Sequence, residues 1–445
     1  MAEYLWPIVM LVALGCGLFS GYPVAFVLAG IGILLSLLAD IPVLFLSMGV
    51  QRIYSGTLTN WLLVAIPLFV FMGLMLERSG IAQRLMHSLA ALFRSTPGGY
   101  AFAIAIIGVI MAASTGIIGA SVVLMGMMAM PAMRGANYDV KLASGLIAAS
   151  GTLGILLPPS IMLIILADQM RLSVGDLFMG AIYPGLLLAG MYFLYLLGIA
   201  LFAPHKMPAP PRSDDGPGMA RAIWSLVRDM LAPLLLILSV LGTIIAGVAT
   251  PTESAAIGAA GATLLALLSG GLSLKSLQSA VFDTCKTTAM IVFVMIGASI
   301  FSVVFRRLGG DQMMIDMFRI DESNPYFVLF VIMALIFVLG FFLDWVEITL
   351  VVVPIVAPVV AALDFGLPGD QVMIWFAILL AVNLQTSFLT PPFGYALFYL
   401  RGVVPDLPIA TIYRGIMPFV LIQILALILV ILLPQIVLSL PMANR

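Results

Sequence analysis

The two halves of this chain repeat one order of apolar segments and interruptions. A segment that begins at Gly17 resembles a segment that begins at Gly242, and each combines a helix end, a Gly/Pro break and a helix of small residues. Later in each half, paired prolines at 158–159 and at 391–392 interrupt another apolar segment. Internal similarity of this extent predicts a fold built from two copies of one structural unit.

The apolar segments between these interruptions are long enough to cross a lipid bilayer. Apolar residues make up 63% of the 445 residues and charged residues only 9%, whereas soluble domains average about 45–50% and about 25%. One helical crossing takes about 20 apolar residues. We therefore predict an all-α polytopic membrane protein. No basic leader precedes the first apolar segment, so we expect that helix to remain in the mature protein.

Each copy is predicted to contain three helices, a long apolar stretch, a broken helix and a last helix. The predicted segments of copy one are 5–20, 22–39, 61–79, 98–133, 142–167 and 177–203, and those of copy two are 230–248, 252–271, 287–305, 326–363, 371–400 and 415–439. Amphipathic pieces are expected at about 44–57, 80–95 and 273–284.

The stretches 98–133 and 326–363 are too short for two full crossings with a polar loop and too long for one helix. Two arms of about 16 residues each reach about 24 Å at 1.5 Å per residue, so the tip stops inside the membrane. Each stretch is therefore predicted to form a re-entrant hairpin, which is possible where the irregular tip is enclosed by protein.

The number of crossings fixes the relative orientation of the two copies. A hairpin adds no net crossing, so each copy crosses an odd number of times and the second copy must be inverted. With the 204–229 linker in the cytoplasm, most of the 19 lysines and arginines lie on that side, as the positive-inside bias expects. The sequence thus predicts two inverted-topology repeats with both termini in the periplasm.

Small polar residues mark the centre of the first stretch, which carries no acidic or basic residue. The segment ASTGIIGAS contains Ser114, Thr115, Gly116, Gly119 and Ser121. Hydroxyls and glycines suit a backbone turn that binds a ligand, although small residues also allow close helix packing in membranes. Their position at the hairpin centre favours binding.

The first broken helix has the sequence SGTLGILLPPS, which ends at Ser160. Gly151, Gly154 and the prolines that end at Pro159 cannot continue an α-helix without freeing carbonyl groups. A sodium ion, a hard cation that prefers oxygen ligands, is one partner for those carbonyls. The alternative is a simple kink in which a serine hydroxyl or a water takes them.

The second broken helix carries a dense group of polar side chains within NLQTSFLTPP. They are Asn383, Gln385, Thr386, Ser387 and Thr390. The rest of the segment is apolar, and polar side chains at membrane depth are costly unless they have a function. This group is predicted to bind a ligand.

Asp344 and Glu347 are the only charged residues of the second stretch. Carboxylates inside a membrane are candidates for ion coupling, and either residue could ligate sodium or exchange a proton. The alternative is that one of them caps the inner helix beside Thr349. We favour Asp344 for ion coupling, and we interpret Glu253, which follows a proline, as a helix cap.

These segments closely resemble the large membrane subunit of tripartite ATP-independent periplasmic (TRAP) transporters from end to end. The similar motifs are GYPVAF, IPLFVFMGLMLERSGIAQRL, GTLGILLPPS, ATPTESAAIGA, FLDWVEITL and NLQTSFLTPPFGYALF. The resemblance implies sodium-driven uptake of a small organic acid across the bacterial inner membrane. It also implies a four-helix small membrane subunit and a periplasmic substrate-binding protein as partners, and no organic cofactor.

The resemblance further implies the elevator fold of the ion-transporter superfamily, in which a transport domain moves against a scaffold. The transport domain would comprise 98–170 and 326–402, and the scaffold 1–97, 171–325 with the linker, and 403–445. The first hairpin tip, STGIIGAS, departs from the serine- and alanine-rich tip of sialic acid importers, and DWVE is similar to the branch that carries keto acids and other small carboxylates.

Carried over from the family, the sodium sites and a substrate site fall on the hairpin tips and the facing breaks. The sodium ligands would be Ser114, Gly116, Gly151 and Gly154 on one side, and Gly340, Asp344, Thr386 and Thr390 on the other. The substrate would lie between the tips, near Thr115, Gly119, Ser121, Pro159, Ser160, Thr349, Asn383 and Ser387.

Other functional classes fit the sequence less well. A single-component sodium–dicarboxylate symporter of the same superfamily would share the hairpins and breaks, and dependence on a binding protein distinguishes it. A membrane enzyme is disfavoured because the only histidines, His87 and His205, are assigned to cytoplasmic edges and form no HExxH motif. A channel is disfavoured because no charged or carbonyl-rich filter is repeated in symmetry.

Overall fold

The computed structural model describes residues 4–93, 96–115, 118–209, 219–318, 324–391 and 394–444, with the backbone alone at 43, 44, 46, 90, 113–115 and 219–222. Within these ranges the regular elements are helices. Eight of the helices found there are long and apolar enough to cross a membrane, and shorter apolar helices lie between them. The prediction of an all-helical, polytopic membrane protein is confirmed at this level.

The described ranges of the first half of the chain contain ten α-helices. They are α1 (Leu5–Phe19), α2 (Val24–Leu38), α3 (Val43–Ile53), α4 (Ala65–Arg78), α5 (Ile81–Leu92), α6 (Gly99–Thr115), α7 (Ile118–Gly135), α8 (Val140–Thr152), α9 (Ile161–Met170) and α10 (Val174–Phe202). A π-helical turn, Tyr54–Leu58, and a 3-10 turn, Trp61–Val64, connect α3 to α4.

Eleven α-helices follow in the second half. They are α11 (Met219–Ile245), α12 (Pro251–Leu268), α13 (Leu274–Arg307), α14 (Gly310–Phe318), α15 (Pro325–Leu339), α16 (Trp345–Glu347), α17 (Val353–Ala361), α18 (Gly369–Leu389), α19 (Tyr395–Val403), α20 (Ile409–Leu432) and α21 (Gln435–Ala443). A π-helical turn, Ile348–Val352, joins α16 to α17.

Local capping explains where several of these helices begin. At α12, the Thr250 side chain accepts from the Glu253 backbone and the Glu253 carboxylate accepts from the Thr250 N–H, which confirms Glu253 as a capping residue. Asn324 caps α15, where Pro325 occupies the first turn and has no N–H to satisfy. The first residues of α12 and α15 are therefore fixed by Thr250, Asn324 and the prolines that follow them.

Three helix boundaries differ from the sequence-based prediction. The expected amphipathic piece at 273–284 is continuous with the next helix, because no glycine or proline interrupts α13 after its Ser273 cap. Helix α11 begins at 219, inside the predicted linker. The last predicted helix ends at Leu432, and α21 follows after Pro434, which cannot donate a backbone hydrogen bond.

The same pair of helix positions is in contact twice, each time with one helix from each half of the chain. Helix α2 packs against α13, and α12, the counterpart of α2 in the repeat, packs against α4, the counterpart of α13. At the surface, the Tyr4 hydroxyl beside α1 donates to Asp316 of α14. The Ser88 hydroxyl of α5 donates to Asp229 of α11 at 2.7 Å, which repeats that connection with the halves exchanged.

Both long apolar stretches fold as pairs of helices whose outer ends meet. In the first stretch, the Tyr100 backbone N–H at the start of α6 donates to the Tyr138 hydroxyl, just beyond α7, at 3.2 Å. In the second, the rings of Tyr326 and Phe365 stack edge to face with centroids 5.4 Å apart. Each stretch therefore returns to the side from which it started.

The two broken helices lie at the centre of the molecule. Every residue of α8 from Leu142 to Thr152 is buried, and so is every residue of α18 from Ile374 to Leu389. Helix α8 packs against α6, α7 and α20, while α18 packs against α15, α17, α10 and α20. The hairpins thus enclose both breaks.

Candidate functional site

The first break separates α8 from α9 by a 3-10 turn, Leu153–Ile155, and an irregular segment that ends at Ser160. The segment is buried throughout and contains a cis peptide bond between Pro158 and Pro159. The Ser160 hydroxyl donates to the Ile155 carbonyl at 2.5 Å. One freed carbonyl is therefore taken by a serine, as the simple-kink alternative expected, and the Leu153 carbonyl accepts from the Leu156 and Leu157 N–H groups.

Glycines bring the first break against the first hairpin. A Cβ on Gly151 would lie 2.3 Å from Val122 of α7, and one on Gly154 would lie 3.4 Å from the Ala112 backbone of α6. Both predicted glycine ligands thus face the hairpin within van der Waals contact. Close approach of the two backbones at this point requires glycine, because a side chain at Gly151 would overlap Val122.

Part of the first hairpin tip lies outside the described residues. Gly116 is among those not described, and the side chains of Ser114 and Thr115 are likewise not described. The backbone of Gly119 faces the Tyr399 ring, since a Cβ there would be 2.9 Å from it. Ser121 is buried one turn further along α7. The first tip therefore contacts α19, the second half of the other broken helix.

The second break carries three side-chain hydroxyl groups on or just after α18. Those of Thr386, Ser387 and Thr390 donate to carbonyls of their own helix, at Val382 (2.8 Å), Leu384 (2.9 Å) and Thr386 (2.7 Å). A hydroxyl that donates to its helix keeps its oxygen lone pairs free to accept, which suits a cation. These three side chains are thus held in place and still able to act as ligands.

Two other polar side chains of the second break bind neighbouring elements. Asn383 donates to the Met333 carbonyl of α15 at 2.8 Å, which ties α18 to the outer arm of the second hairpin. Gln385 points to the opposite side, where its Nε2 lies 3.5 Å from the Thr152 hydroxyl of α8. The polar cluster predicted at 383–390 is therefore divided between the interface of α18 with α15 and the interface of α18 with α8.

The second hairpin tip lies directly on the second break. A Cβ on Gly340 would be 2.1 Å from the Ser387 Oγ and 2.8 Å from its Cβ. The Tyr395 hydroxyl of α19 donates to the Phe342 carbonyl in the tip at 3.0 Å. The structure thus brings together the predicted sodium ligand Gly340 and the predicted substrate residue Ser387.

Asp344 and Glu347 form a capping box at the start of α16. Asp344 Oδ1 accepts from the Trp345 N–H at 2.8 Å, and Glu347 Oε2 accepts from the Asp344 N–H at 3.3 Å. The capping alternative is therefore confirmed for Asp344. One turn on, Thr349 is fully buried, and its Oγ1 finds no partner among the described residues.

The Asp344 cap does not exclude an ion-coupling role. The Glu347 backbone N–H also donates to this carboxylate, which completes the capping box. A carboxylate oxygen that accepts one hydrogen bond keeps a further lone pair, with which it can still contact a hard cation.

A buried network that the sequence analysis did not identify links the two halves. Gln423 of α20 donates to the Tyr192 hydroxyl of α10 at 2.8 Å and lies 3.5 Å from the Thr152 hydroxyl. The Oε1 atoms of Gln385 and Gln423 have no partner among the described residues. The sequence does hold one sign of this network, because Gln423 is a single glutamine within the apolar helix α20 and polar side chains are costly in lipid.

The sequence matches the family described as "Tripartite ATP-independent periplasmic transporter, DctM component" over residues 8–436. Among curated relatives, the chain is 30% identical to the C4-dicarboxylate TRAP transporter large permease protein DctM of Pseudomonas aeruginosa, over 86% of this chain and 87% of that protein. It is 29% identical to the sialic acid TRAP transporter large permease protein SiaM of Vibrio cholerae, over 95% and 96%.

Two further similarities bear on function and fold. The chain is 32% identical to the ectoine/5-hydroxyectoine TRAP transporter large permease protein UehC of Ruegeria pomeroyi, over 85% of each chain. Among solved structures, the YdaH transporter of Alcanivorax borkumensis superposes with a TM-score of 0.60 over 90% of each chain at 17% identity. That structure, described as having an unusual topology, supports the fold alone.

Proposed function

We propose, on the premise that this chain belongs to the DctM large-permease family of TRAP transporters, that it imports a small organic acid by sodium-coupled secondary transport. Its relatives are permease subunits, so the chain is a multi-pass membrane subunit of a substrate importer and not an enzyme. The family name implies a tripartite system with a substrate-binding component and a small membrane component. The coupling ion, the cargo and the mechanism are the proposal.

The contact between the second hairpin tip and the second break carries this proposal. Gly340 lies against Ser387, and Asp344 lies at the start of the next helix. Hydroxyl lone pairs, freed carbonyls and one carboxylate oxygen form an all-oxygen set, which a hard monovalent cation prefers. We assign one sodium to Gly340, Asp344, Thr386 and Thr390.

We assign a second sodium to the first break, where carbonyl and hydroxyl oxygens but no carboxylate would coordinate it. Gly151 and Gly154 lie against the first hairpin and would supply carbonyl oxygens. Ser114 and Gly116 at the tip would complete the ligand set. Two cations near the membrane midplane would then balance the negative charge of an acid bound between the tips.

The substrate carboxylate is proposed to bind between the hairpin tips without an arginine. The helix that starts after Asp344 and the free lone pairs of Thr349 and Ser387 lie on one side of this space. Thr115, Gly119, Ser121, Pro159, Ser160 and Asn383 are the other proposed contacts. Backbone N–H groups at helix starts favour anions, and a bound sodium adds to that preference.

Inverted repeats and an elevator motion are proposed for the transport step. The exchange of α2–α13 and α4–α12 contacts is what a two-fold axis between inverted copies would produce. The moving unit would include 98–170 and 326–402. A Cβ on Gly145 of α8 would lie 2.0 Å from the Gly415 carbonyl of α20. Because backbones in such close contact cannot slide past each other easily, we add α20 to the moving unit.

Reconstituted uptake tests this function. The chain and its small membrane subunit would be placed in liposomes, and uptake of radiolabelled succinate and pyruvate would be measured with and without a binding protein. Uptake that requires an inward sodium gradient and the binding protein is expected. Uptake without the binding protein would favour the single-component symporter, and uptake driven equally by a proton gradient alone would contradict sodium coupling.

A further inference from the structure

A polar cleft outside the proposed transport site opens where the first broken helix meets the scaffold. It has a volume of about 340 Å³, and its walls come from four segments of the chain, at 52–60, 168–171, 295–302 and 350–354. The residues that matter below are Arg52, Ser55, Asn60, Asp168, Arg171 and Ser302. Leu350 and Pro354 of the second hairpin's inner arm close one side. The cleft therefore touches both the proposed scaffold and the proposed moving unit.

Two guanidinium groups in this cleft have no acid partner. Neither Arg52 nor Arg171 forms a salt bridge or a side-chain hydrogen bond with the residues that the structure describes. The nearby Asp168 is already engaged, because Oδ1 accepts from Asn60 Nδ2 at 2.6 Å and Oδ2 accepts from Gln169 Nε2 at 2.9 Å. These amide donors are neutral, so they hold the carboxylate in place without changing its charge, and two guanidinium groups against one carboxylate leave the cleft with a net positive charge.

The positive charges are close enough to affect one another. Burial lowers the pKa of Arg52 below its ordinary value, and the neighbouring Arg306 and Arg171 lower it further, while the carboxylate of Asp311 opposes them in part. Arg306 itself lies 3.6 Å from Asp311, so its charge is partly compensated. Arginine stays protonated under any physiological condition, so the mutual repulsion is relieved by an anion rather than by loss of a proton.

We propose that this cleft is a second carboxylate-binding site, which receives the acid before it reaches the space between the hairpin tips. The proposal rests on the proposed function, because it gives the cleft a place in the import of that acid. Arg52 and Arg171 would hold the carboxylate through paired N–H donors, a geometry for which guanidinium is suited. The Ser302 hydroxyl, which has no hydrogen bond within the described ranges, would add a donor.

The size and position of the cleft favour a small acid over a protein side chain or a lipid. A volume of about 340 Å³ is at the small end of ligand pockets and holds a molecule of a few carbons. The charge pattern of the loops assigns Arg52 and Arg171 to the periplasmic face, where a binding protein would deliver its substrate. A site there raises the local concentration of the acid next to the moving unit.

Charge-selective labelling of a cysteine in the cleft provides the test. Cys16 and Cys285, both exposed, would be replaced by serine, and a reporter introduced as Ser55→Cys. The Ser55 hydroxyl bonds only within its own helix, to Gln51, so its loss should leave the cleft intact. We expect the anionic reagent MTSES to label this cysteine at least about tenfold faster than the cationic MTSET. Millimolar succinate should slow the reaction of MTSES with the cysteine, because the acid would occupy the same positive cleft.

Removal of the two charges should abolish both effects. In Arg52→Gln/Arg171→Gln, the preference for MTSES should fall by about tenfold and succinate protection should disappear, since charge-assisted hydrogen bonds supply the binding. Arg84→Gln is the matched control, because Arg84 is half-exposed on α5 and has no salt bridge among the described residues. Ser299→Cys is a second reporter on another wall.

The outcomes separate this inference from the proposed function. Equal MTSES and MTSET rates at both reporters, or a preference that survives the double variant, would overturn the cleft as an anion site. Protection by inorganic phosphate as strong as that by succinate would overturn its assignment to carboxylates. These labelling experiments need no sodium gradient, so they remain decisive even if reconstituted uptake shows no sodium dependence. Where uptake is sodium-driven, the double variant should raise KM and leave kcat unchanged.

Discussion

The two hairpins of this protein share one architecture and differ in their chemistry. The first packs on its broken helix through Gly151 and Gly154, and its sequence contains no acidic or basic residue between 98 and 133. The second packs on its broken helix through Gly340 and carries the Asp344–Glu347 capping box at its tip. Close backbone packing is therefore common to both hairpins, whereas a carboxylate belongs to only one.

This difference shows which features the architecture requires and which are free to specialise. Glycines recur because a hairpin tip can only be enclosed at membrane depth if the backbones approach closely. The carboxylate is not needed for that enclosure, since the first hairpin is packed without one. Its presence at the second tip is consistent with a binding function, and variants of the two tips can separate the two roles.

The largest effect is expected from a Cβ at the second tip. Gly340→Ala would place a methyl group 2.1 Å from the Ser387 Oγ, and such overpacking costs about 1–3 kcal/mol. Apparent unfolding temperature and folded yield in detergent would measure the loss. Gly154→Ala is the control, because its Cβ contact at 3.4 Å is ordinary, and Gly340→Ala/Ser387→Gly should recover most of the loss. Equal effects of the two single variants would contradict the close contact described at Gly340.

A smaller effect on stability and a selective effect on coupling are expected at Asp344. Asn caps helices as well as Asp does, so Asp344→Asn should unfold at the wild-type temperature while its sodium activation weakens by about tenfold or more. Asp344→Ala should lose about 1 kcal/mol of helix capping as well. Initial uptake rates against sodium concentration give the measurement. Normal sodium activation in Asp344→Asn would restrict this residue to capping.

The smallest effect is expected at a single hydroxyl ligand of the second break. Thr386→Ala removes one neutral oxygen, and a severalfold loss of sodium affinity is expected, in keeping with about 0.5–1.5 kcal/mol for a neutral polar contact. Thr386→Ser keeps the hydroxyl that donates to Val382 and should behave as wild type. If both variants activate with sodium as the wild type does, Thr386 is not a ligand.

The sequence was most informative where the pattern is local. The capping role of Glu253, the break at 153–160 and the end of α18 at Leu389 follow from Pro, Gly and Thr positions that limit the backbone directly. That each long stretch folds as a pair of helices was predictable, because each has a polar centre between two apolar arms. Helix α13 was divided wrongly, since an amphipathic start and an apolar end can share one helix when no residue interrupts it.

Tertiary packing determines what the sequence could not indicate. Thr152, Tyr192 and Gln423 come from three helices far apart in the chain, and only the fold brings them within hydrogen-bonding distance. Arg52 and Arg171 were assigned to one face by charge, but their common cleft depends on how the turn before α4 packs against α9. For Asp344 and Glu347, the sequence pattern left both helix capping and ion coupling open, and the hydrogen bonds of the structure established the cap.

The antiparallel arrangement of the two copies can be tested most directly by the sidedness of two matched glycines. Gly135 ends the first hairpin and Gly369 follows the second; both are exposed, and a Cβ at either meets open space. Single cysteines would be introduced there in the Cys16→Ser/Cys285→Ser background and labelled with an impermeant maleimide in intact and opened cells. Our account predicts that Gly369→Cys is labelled from the periplasm and Gly135→Cys only after opening. Labelling of both from one side would contradict it.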